Sequence, residues 1–342
     1  MSKSLRWAAR LGQLLLLAVI IWGIARAVAP RAEGFEWSAL AEWRPQPGRL
    51  VLSTLLLIAV YVAHAFLWRR IMSDLDVGRP APLTTTRIYF LSSLGRYIPG
   101  KLWQLAGLAV LSRRAGLPAL GATAAALLGQ FAFLATGFLF LAVMLPQWME
   151  GSGAKLAGIV LLICACTAWI ILATPSGEPA RAWLRKRAGS LGGDRFVAAL
   201  DLAERVRGWD AIRWGVGYGF TWILLGLAFT LFVTAFVPEA ITESRQIAGA
   251  VAASYLAGYL VLFAPAGIGV REGAMTGLLA AIPVIPLSAA VLISVLSRIW
   301  FTIAELVPLA VAPFADNPAL QDDTAPTATN TETVASNERG TT

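Results

Sequence analysis

The sequence predicts an all-α polytopic membrane protein with about six full transmembrane helices and two interrupted, re-entrant helical hairpins in an inverted repeat. Of the 342 residues, 57% are hydrophobic and only 14% are charged, whereas a soluble domain carries about 25% charged residues. Apolar stretches of about 20 residues, the length that crosses a bilayer, recur along the chain. Two further apolar regions are interrupted by glycine, proline and charge. No sizeable soluble domain is expected.

The predicted full spans cover residues 11–29, 50–68, 119–145, 156–174, 213–237 and 287–314. The first has a basic start, an apolar core and an Ala27-Val28-Ala29 ending, which resembles a cleavable signal. Pro30 would directly follow that cut, and several spans come after it, so we expect a retained first helix.

Two polar regions complete the predicted organisation. Residues 175–212 contain apolar side chains at near-helical spacing, which predicts a helix lying on the cytoplasmic membrane surface. Residues 316–342 are rich in Thr, Asn, Asp and Pro and have almost no large apolar side chains, which predicts a disordered cytoplasmic tail. The integral membrane domain is therefore expected to cover residues 1–315.

The formal net charge of +8 reflects basic loops, and it predicts orientation and attraction to anionic lipids rather than binding of nucleic acid. With both termini in the cytoplasm, 17 Lys and Arg side chains lie on the cytoplasmic side and 6 on the opposite side. We therefore expect a multi-pass protein of the inner (cytoplasmic) membrane. Cys164 and Cys166 lie inside one apolar run, which favours packing over disulfide or metal chemistry. No cofactor and no metal is expected.

The two interruptions have parallel compositions. The first, "LSSLGRYIPGKLWQ", runs from Leu91 to Gln104, and the second, "LFAPAGIGVREGAMTGLLA", runs from Leu262 to Ala280. Each lies between two full spans, which predicts repeat units at about residues 50–145 and 213–314. In the predicted orientation the units have opposite topology, and paired interrupted segments in inverted halves indicate a transporter site near the membrane midplane.

The interruptions also predict the chemistry of that site. A break at proline frees backbone amides at the start of the next half-helix, and those amides favour an anion, as do nearby cations. The predicted substrate-binding residues are Arg96, Pro99, Gly100, Lys101, Trp103, Gln104, Gly267, Gly269, Arg271 and Glu272. The alternative is a pair of ordinary loops whose cations reach out to water at the membrane surface. No catalytic residue is predicted.

Other polar residues within the predicted spans have open interpretations. Arg298 and Glu305 are seven residues apart on one helical face, which predicts an intramembrane charge network with either a structural role or substrate contact. Glu272 is a partner for Arg271 or a proton carrier. His64, the single histidine, is expected to be a hydrogen-bonded structural residue. Trp103 is either a pocket residue or an anchor at the membrane interface.

The stretches "SSLGRYIPGKLWQ" and "APAGIGVREGAMTGLL" resemble the two signature stretches of the lysylphosphatidylglycerol synthase transmembrane-region family, a flippase-like membrane domain. The resemblance covers about residues 10–314. It implies movement of lipids across the cytoplasmic membrane: aminoacylated phosphatidylglycerol in some members and lipid-linked sugars in others. Synthase members carry a soluble aminoacyltransferase domain after the membrane part, where this chain has a short polar tail, so neither the synthase activity nor the lysyl-lipid substrate follows from the resemblance.

Two functions remain open from the sequence. The first is a transporter that flips a lipid with an anionic or phosphate-bearing headgroup, with anionic phospholipids or polyprenyl-phosphate lipids as partners and a possible homo-oligomer. The alternative is a membrane enzyme, or an enzyme partner, in polyprenyl-phosphate-linked glycosyl transfer. Catalysis would need a clustered pair of acids, whereas Glu272 and Glu305 each lie next to, or in line with, an arginine.

Overall fold

The computed structural model describes residues 44–97, 102–144, 206–260, 267 and 269–311, together with four isolated positions between 179 and 186. Over these residues every regular element is helical, which confirms the predicted all-α membrane fold. The predicted spans 11–29 and 156–174, most of the predicted surface segment 175–212, and the predicted tail 316–342 lie outside the described residues.

The described residues form eight α-helices. They are α1 (Pro47–Asp74), α2 (Pro82–Ser93), α3 (Leu102–Arg114), α4 (Ala119–Met144), α5 (Gly208–Phe236), α6 (Ser244–Leu260), α7 (Val270–Ala280) and α8 (Leu287–Val311). Short 3₁₀ helices follow α2, at Leu94–Tyr97, and α5, at Pro238–Glu243. Helices α1, α4, α5 and α8 are long and apolar enough to cross a membrane.

Two of the helices extend beyond the apolar windows that predicted them. The span expected at 50–68 begins earlier, at Pro47, where the fixed φ of proline suits a first helical residue. It also continues through Arg69 and Arg70 to Asp74, because Arg70 and Asp74 form an i,i+4 ion pair of 3.0 Å. The span expected to start at 213 starts at Gly208, so the last residues of the predicted surface segment belong to a crossing helix.

Small residues allow large aromatic side chains to fill the centre of the bundle. A Cβ at Gly137 would lie 2.5 Å from the Trp222 ring, so only glycine permits this approach. Trp222 stacks on Phe133 with ring centroids 4.5 Å apart, and its Nε1 donates a hydrogen bond of 2.8 Å to the Phe133 carbonyl oxygen. In a bilayer the hydrophobic effect does not drive helices together, because lipid tails are as apolar as the side chains. Close packing of this kind therefore contributes to helix association.

Polar contacts define the two ends of the bundle. At one end Trp214 Nε1 donates a hydrogen bond of 2.9 Å to Asp74 Oδ2, which joins the end of α1 to the start of α5. We call this the Asp74 end. At the opposite end the Gln46 backbone N–H donates a hydrogen bond of 2.8 Å to the Ala235 carbonyl oxygen, next to the end of α5. We call this the Ala235 end.

Two helical hairpins begin near these opposite ends. In the first, α2 begins near the Asp74 end and α3 runs back alongside it. A Cβ at Gly95 would lie 2.7 Å from the Gln104 backbone nitrogen, and one at Gly107 would lie 3.7 Å from Ser92, which is the pairing of an antiparallel hairpin.

The second hairpin, α6 and α7, begins at the Ala235 end. Ser254 Oγ lies 3.7 Å from Met275 Sδ, and a Cβ at Gly258 would lie 3.1 Å from Arg271 Cβ, so α6 and α7 are also antiparallel. Gly267 has a φ of +70° and lies directly against the backbone of Gly258. A side chain at Gly267 would lie 2.9 Å from the Gly258 backbone, so this close approach requires glycine.

Candidate functional site

A cavity of about 350 Å³ lies where the two hairpins meet. Its wall includes residues from all eight described helices, and both hairpins contribute to it: Arg96 and Gln104 from the first, Gly267 and Arg271 from the second. We call it the central cavity. It has the size of a small-molecule site and the mixture of apolar walls with a few polar groups that such sites show.

Tyrosine side chains form part of the wall of the central cavity. The chain has six tyrosines. Five of them line the cavity, namely Tyr61, Tyr89, Tyr218, Tyr255 and Tyr259. The sequence prediction of the site missed all five. Their position in the middle of apolar helices was an available signal, because tyrosine in membrane proteins is usually enriched at the interfaces.

Arg271 places its guanidinium against two of the aromatic walls. Its Cζ lies 4.0 Å from the centroid of the Phe301 ring and 4.9 Å from that of the Tyr255 ring. A guanidinium stacked on a ring keeps its N–H groups in plane and available for a bidentate acceptor. Arg271 Nη2 is buried and has no hydrogen-bond partner among the described residues, and no described carboxylate forms an ion pair with it.

Arg96 is held by an acid from another part of the chain. Its guanidinium lies 3.3 Å from Glu305 Oε1, and its Nε donates a hydrogen bond of 3.1 Å to the Ser93 carbonyl oxygen. The Glu305 side chain is 4% exposed. This ion pair ties the turn of the first hairpin to α8.

Arg298 and Glu272 form a second ion pair, between α8 and the start of α7. Arg298 Nη1 lies 3.5 Å from Glu272 Oε1, and both side chains are 6% exposed. The other carboxylate oxygen of Glu272 accepts a hydrogen bond of 2.6 Å from the backbone N–H of Gly269, the N-cap residue of α7. Glu272 therefore pairs with Arg298 rather than with its neighbour Arg271.

The Glu272 carboxylate occupies one of the backbone amides at the second break. The sequence suggested that amides at the start of α7 would face an anionic ligand. The protein itself supplies an anion there, because the Glu272 carboxylate accepts the Gly269 N–H. The Arg271 side chain, two residues further on, lines the cavity.

The predicted charge network of Arg298 and Glu305 includes partners from both hairpins. The two residues lie on α8 and both line the central cavity, but each forms an ion pair with a residue of a different hairpin. Helix α8 thus carries one partner for the turn of α2–α3 and one for the start of α7. The seven-residue spacing predicted that Arg298 and Glu305 share one face of a helix, but it could not predict their partners in the hairpins.

The remaining predicted site residues divide into three groups. Gln104 and Gly267 line the cavity. Trp103 does not: its side chain is 54% exposed and lies on the outside of α3. Pro99, Gly100 and Lys101 lie outside the described residues.

His64 lies in the cavity wall beside α5. Its Nε2 is 2.9 Å from Thr221 Oγ1, and its ring packs edge-on against Phe133 with centroids 4.8 Å apart. The hydrogen bond agrees with the structural role expected from the sequence. It also gives the histidine a polar partner inside an apolar bundle.

The long apolar helices and the buried charged cavity between them define a polytopic α-helical membrane protein. The family model of the lysylphosphatidylglycerol synthase transmembrane region matches residues 10–307, so the chain belongs to this family. The match confirms the resemblance found in the two interrupted stretches. No significant match to the chain was found among curated proteins or among solved structures.

Proposed function

We propose that the protein flips a lipid with an anionic or phosphate-bearing headgroup across the membrane and that the headgroup passes through the central cavity. The observation that carries the proposal is Arg271, a cation in the cavity wall with a buried, unused N–H donor and no carboxylate among the described residues to neutralise it. A phosphate offers the charge and the paired oxygens that such a guanidinium binds best.

The physical problem of flipping a lipid is confined to its headgroup. The acyl chains can stay in hydrocarbon while the headgroup moves, so the protein must replace water only around the charged part. The tyrosine hydroxyls, Gln104 and Gln130 in the cavity wall supply uncharged polar partners for that purpose. The apolar outer faces of the helices leave the chains in contact with lipid.

The proposed topology is an inverted repeat of two units, each a long helix, a re-entrant hairpin and a second long helix. The start of hairpin α2–α3 near the Asp74 end and of hairpin α6–α7 near the Ala235 end supports it. We place the Asp74 end in the cytoplasm, in the inner membrane, because the loops there carry most of the basic residues. Alternating access then follows from movement of the hairpins around one site.

The test is lipid movement in reconstituted vesicles. Phosphatidylglycerol and phosphatidylcholine, each labelled on an acyl chain, are followed by quenching of the label in the outer leaflet. Arg271→Gln should slow phosphatidylglycerol movement by about tenfold to a hundredfold, the range expected for losing one charge-assisted hydrogen bond. Arg271→Lys should recover only part of the rate, because a lysine keeps the charge without the stacked fork of donors.

The matched control is Arg114→Gln, which removes an exposed arginine from the last turn of α3. It should move phosphatidylglycerol at the wild-type rate. The proposal fails if Arg271→Gln, folded as the wild type is, moves phosphatidylglycerol as fast as the control. It also fails if the wild type moves no labelled lipid faster than protein-free vesicles do.

The glycosyl-transfer alternative is tested by a different measurement. Among the described residues Glu272 and Glu305 each form an ion pair with an arginine, and no three His, Cys, Asp or Glu side chains cluster. No specific contact therefore favours this alternative over lipid movement. Formation of a glycosylated product by the purified protein from a polyprenyl-phosphate-linked sugar would support it.

A further inference from the structure

We infer that His64 Nδ1 accepts a hydrogen bond from a hydroxyl group of the lipid headgroup, so that the protein favours headgroups with hydroxyls over headgroups of equal charge without them. The inference rests on the proposed function and deepens it, because it names a residue that distinguishes between anionic headgroups. It starts from the two ring nitrogens of the single histidine of the chain, which have different surroundings in the cavity wall.

The hydrogen bonds of Thr221 fix which ring nitrogen of His64 carries the proton. A threonine hydroxyl has one hydrogen to donate, and Thr221 donates it to the Tyr218 carbonyl oxygen at 2.7 Å. In the contact of 2.9 Å between Thr221 Oγ1 and His64 Nε2, the histidine must therefore be the donor. A second proton on the ring is disfavoured, because it would place a further positive charge in an apolar bundle. In the resulting neutral imidazole, Nδ1 is a hydrogen-bond acceptor.

The acceptor at His64 Nδ1 is left for a ligand. No described residue donates a hydrogen bond to it, and His64 lines the central cavity. The side-chain atoms that the described residues enclose completely without a hydrogen bond belong to other residues, so Nδ1 has access to the cavity. A headgroup that displaces water from the cavity must donate a hydrogen bond to Nδ1 or leave this acceptor unpaired, which is costly.

Other uncharged polar groups lie near His64 in the cavity wall. The Tyr218 ring centroid is 5.5 Å from that of His64. Its hydroxyl lies over Gly129, where an added Cβ would be only 2.5 Å from the hydroxyl oxygen. Gln130 is next along α4 and also lines the cavity. Neither the Tyr218 hydroxyl nor the Gln130 amide has a hydrogen-bond partner among the described residues. A headgroup with hydroxyls, each able to donate and accept, suits these groups.

The same wall leads from His64 to Arg271. Phe133 packs against His64 with ring centroids 4.8 Å apart and against Tyr255 with centroids 5.4 Å apart. Arg271 Cζ lies 4.9 Å from the centroid of the Tyr255 ring. A phosphate at Arg271 and a hydroxyl at His64 would therefore lie along one continuous wall. An ammonium would also donate to Nδ1, but it would add positive charge to a cavity in which Arg271 forms no ion pair with a described residue. The site thus favours a hydroxyl.

The experiment compares two lipids of equal charge. Phosphatidylglycerol and phosphatidylpropanol are both singly charged phosphodiesters, and they differ only in the hydroxyls of the headgroup. Each is labelled on an acyl chain and followed separately in phosphatidylcholine vesicles. The wild type should move phosphatidylglycerol about tenfold faster, because phosphatidylpropanol leaves the Nδ1 acceptor unpaired. Phosphatidylethanolamine, whose donor is an ammonium, is the third lipid and should move more slowly than phosphatidylglycerol.

Two substitutions separate the nitrogens of His64. His64→Gln places an amide near the Nε2 position, which keeps a donor for Thr221 and removes the Nδ1 acceptor, so the ratio of the phosphatidylglycerol rate to the phosphatidylpropanol rate should fall to about threefold or less. His64→Asn places an amide oxygen near the Nδ1 position and loses the Thr221 contact. Its ratio should stay within about twofold of the wild-type ratio, while the free energy of unfolding falls. Thr242→Val, which removes an exposed hydroxyl from the 3₁₀ helix after α5, is the control and should leave the ratio unchanged.

The outcomes distinguish this inference from the proposed function. Equal movement of phosphatidylglycerol and phosphatidylpropanol by the wild type would overturn the role of His64, while phosphatidylglycerol movement would still support a flippase. A wild-type ratio in folded His64→Gln would overturn it too, as would an equal loss of the ratio in both His64 variants, which is the result of a merely structural role. Phosphatidylethanolamine movement as fast as that of phosphatidylglycerol would overturn the choice of a hydroxyl. Movement of no lipid by the wild type would overturn the proposed function, and this inference with it.

Discussion

Replacement of the Arg298 and Glu272 pair tests whether the structure assigns the right partners on α8. The variants are the single changes Arg298→Gln, Glu272→Gln and Glu305→Gln, and the double variants that combine Arg298→Gln with each of the other two. Glutamine at 272 keeps the length of the side chain and an oxygen that can accept the Gly269 N–H, so the α7 cap is preserved. The single variants then differ from the wild type mainly in charge.

The size of the expected coupling follows from distance. Two unit charges 3.5 Å apart attract by about 5 kcal/mol at an effective dielectric constant of about 20. Arg298 and Glu305 are separated by seven residues of α8, or roughly 10 Å of helix rise, which gives about 1.5 kcal/mol by the same estimate. After relaxation we expect a coupling of about 3 kcal/mol for Arg298 with Glu272 and about 1 kcal/mol or less for Arg298 with Glu305.

The assay is the free energy of unfolding in mixed detergent micelles, measured for the wild type, the single variants and the double variant of each cycle. Each cycle gives one coupling energy, and effects common to both single variants cancel. A larger coupling for Arg298 with Glu305 than for Arg298 with Glu272 would refute the assignment. So would a coupling below about 0.5 kcal/mol for Arg298 with Glu272, the lower bound for residues in contact.

Two further substitutions test the packing that shapes the cavity. Gly95→Ala should lower the free energy of unfolding by about 1–3 kcal/mol, because its Cβ would lie 2.7 Å from the Gln104 backbone nitrogen. Gly215→Ala, where a Cβ meets nothing within 4 Å, is the matched control and should be neutral or stabilising; equal losses for both would contradict the close approach of α2 and α3. Thr221→Val should cost about 1–3 kcal/mol by leaving the His64 ring nitrogen without its partner, and chemical unfolding unchanged from the wild type would show that this hydrogen bond contributes nothing.

The sequence predicted the helices well where hydropathy alone decides the outcome. The span expected at 119–145 is observed as α4, Ala119–Met144, and the span expected at 287–314 is observed as α8 over Leu287–Val311. The ends were less predictable where charged residues continue a helix, as Arg69 and Arg70 do in α1. A hydropathy window stops at the first arginine, whereas the helix continues as long as its backbone and side chains are satisfied.

The two helix breaks were also readable, because proline and glycine weaken helices for local reasons. Helix α2 ends at Ser93, immediately before the Leu94–Tyr97 turn, inside the stretch expected to be interrupted. The direction of side chains around the break was harder to predict. Successive residues on a helix point about 100° apart, so Gln104 faces the cavity while Trp103 faces outward.

The partners of the buried charges could not be predicted from one sequence. Arg96 and Glu305 are far apart in the chain, and nothing in their local spacing brings them together. Glu272 and Arg298 are similarly joined only by the packing of α7 on α8. Sequence spacing gives faces of a single helix, and the tertiary fold decides which faces meet.

The most direct test of the central claim is the position of a lipid phosphate in an experimental structure of the protein in phosphatidylglycerol-containing nanodiscs. The account predicts phosphate density in the central cavity, with an oxygen about 2.7–2.9 Å from Arg271 Nη2, and loss of that density in Arg271→Gln. Ordered phosphate density elsewhere on the protein, with a cavity that holds only acyl chain or water, would contradict it.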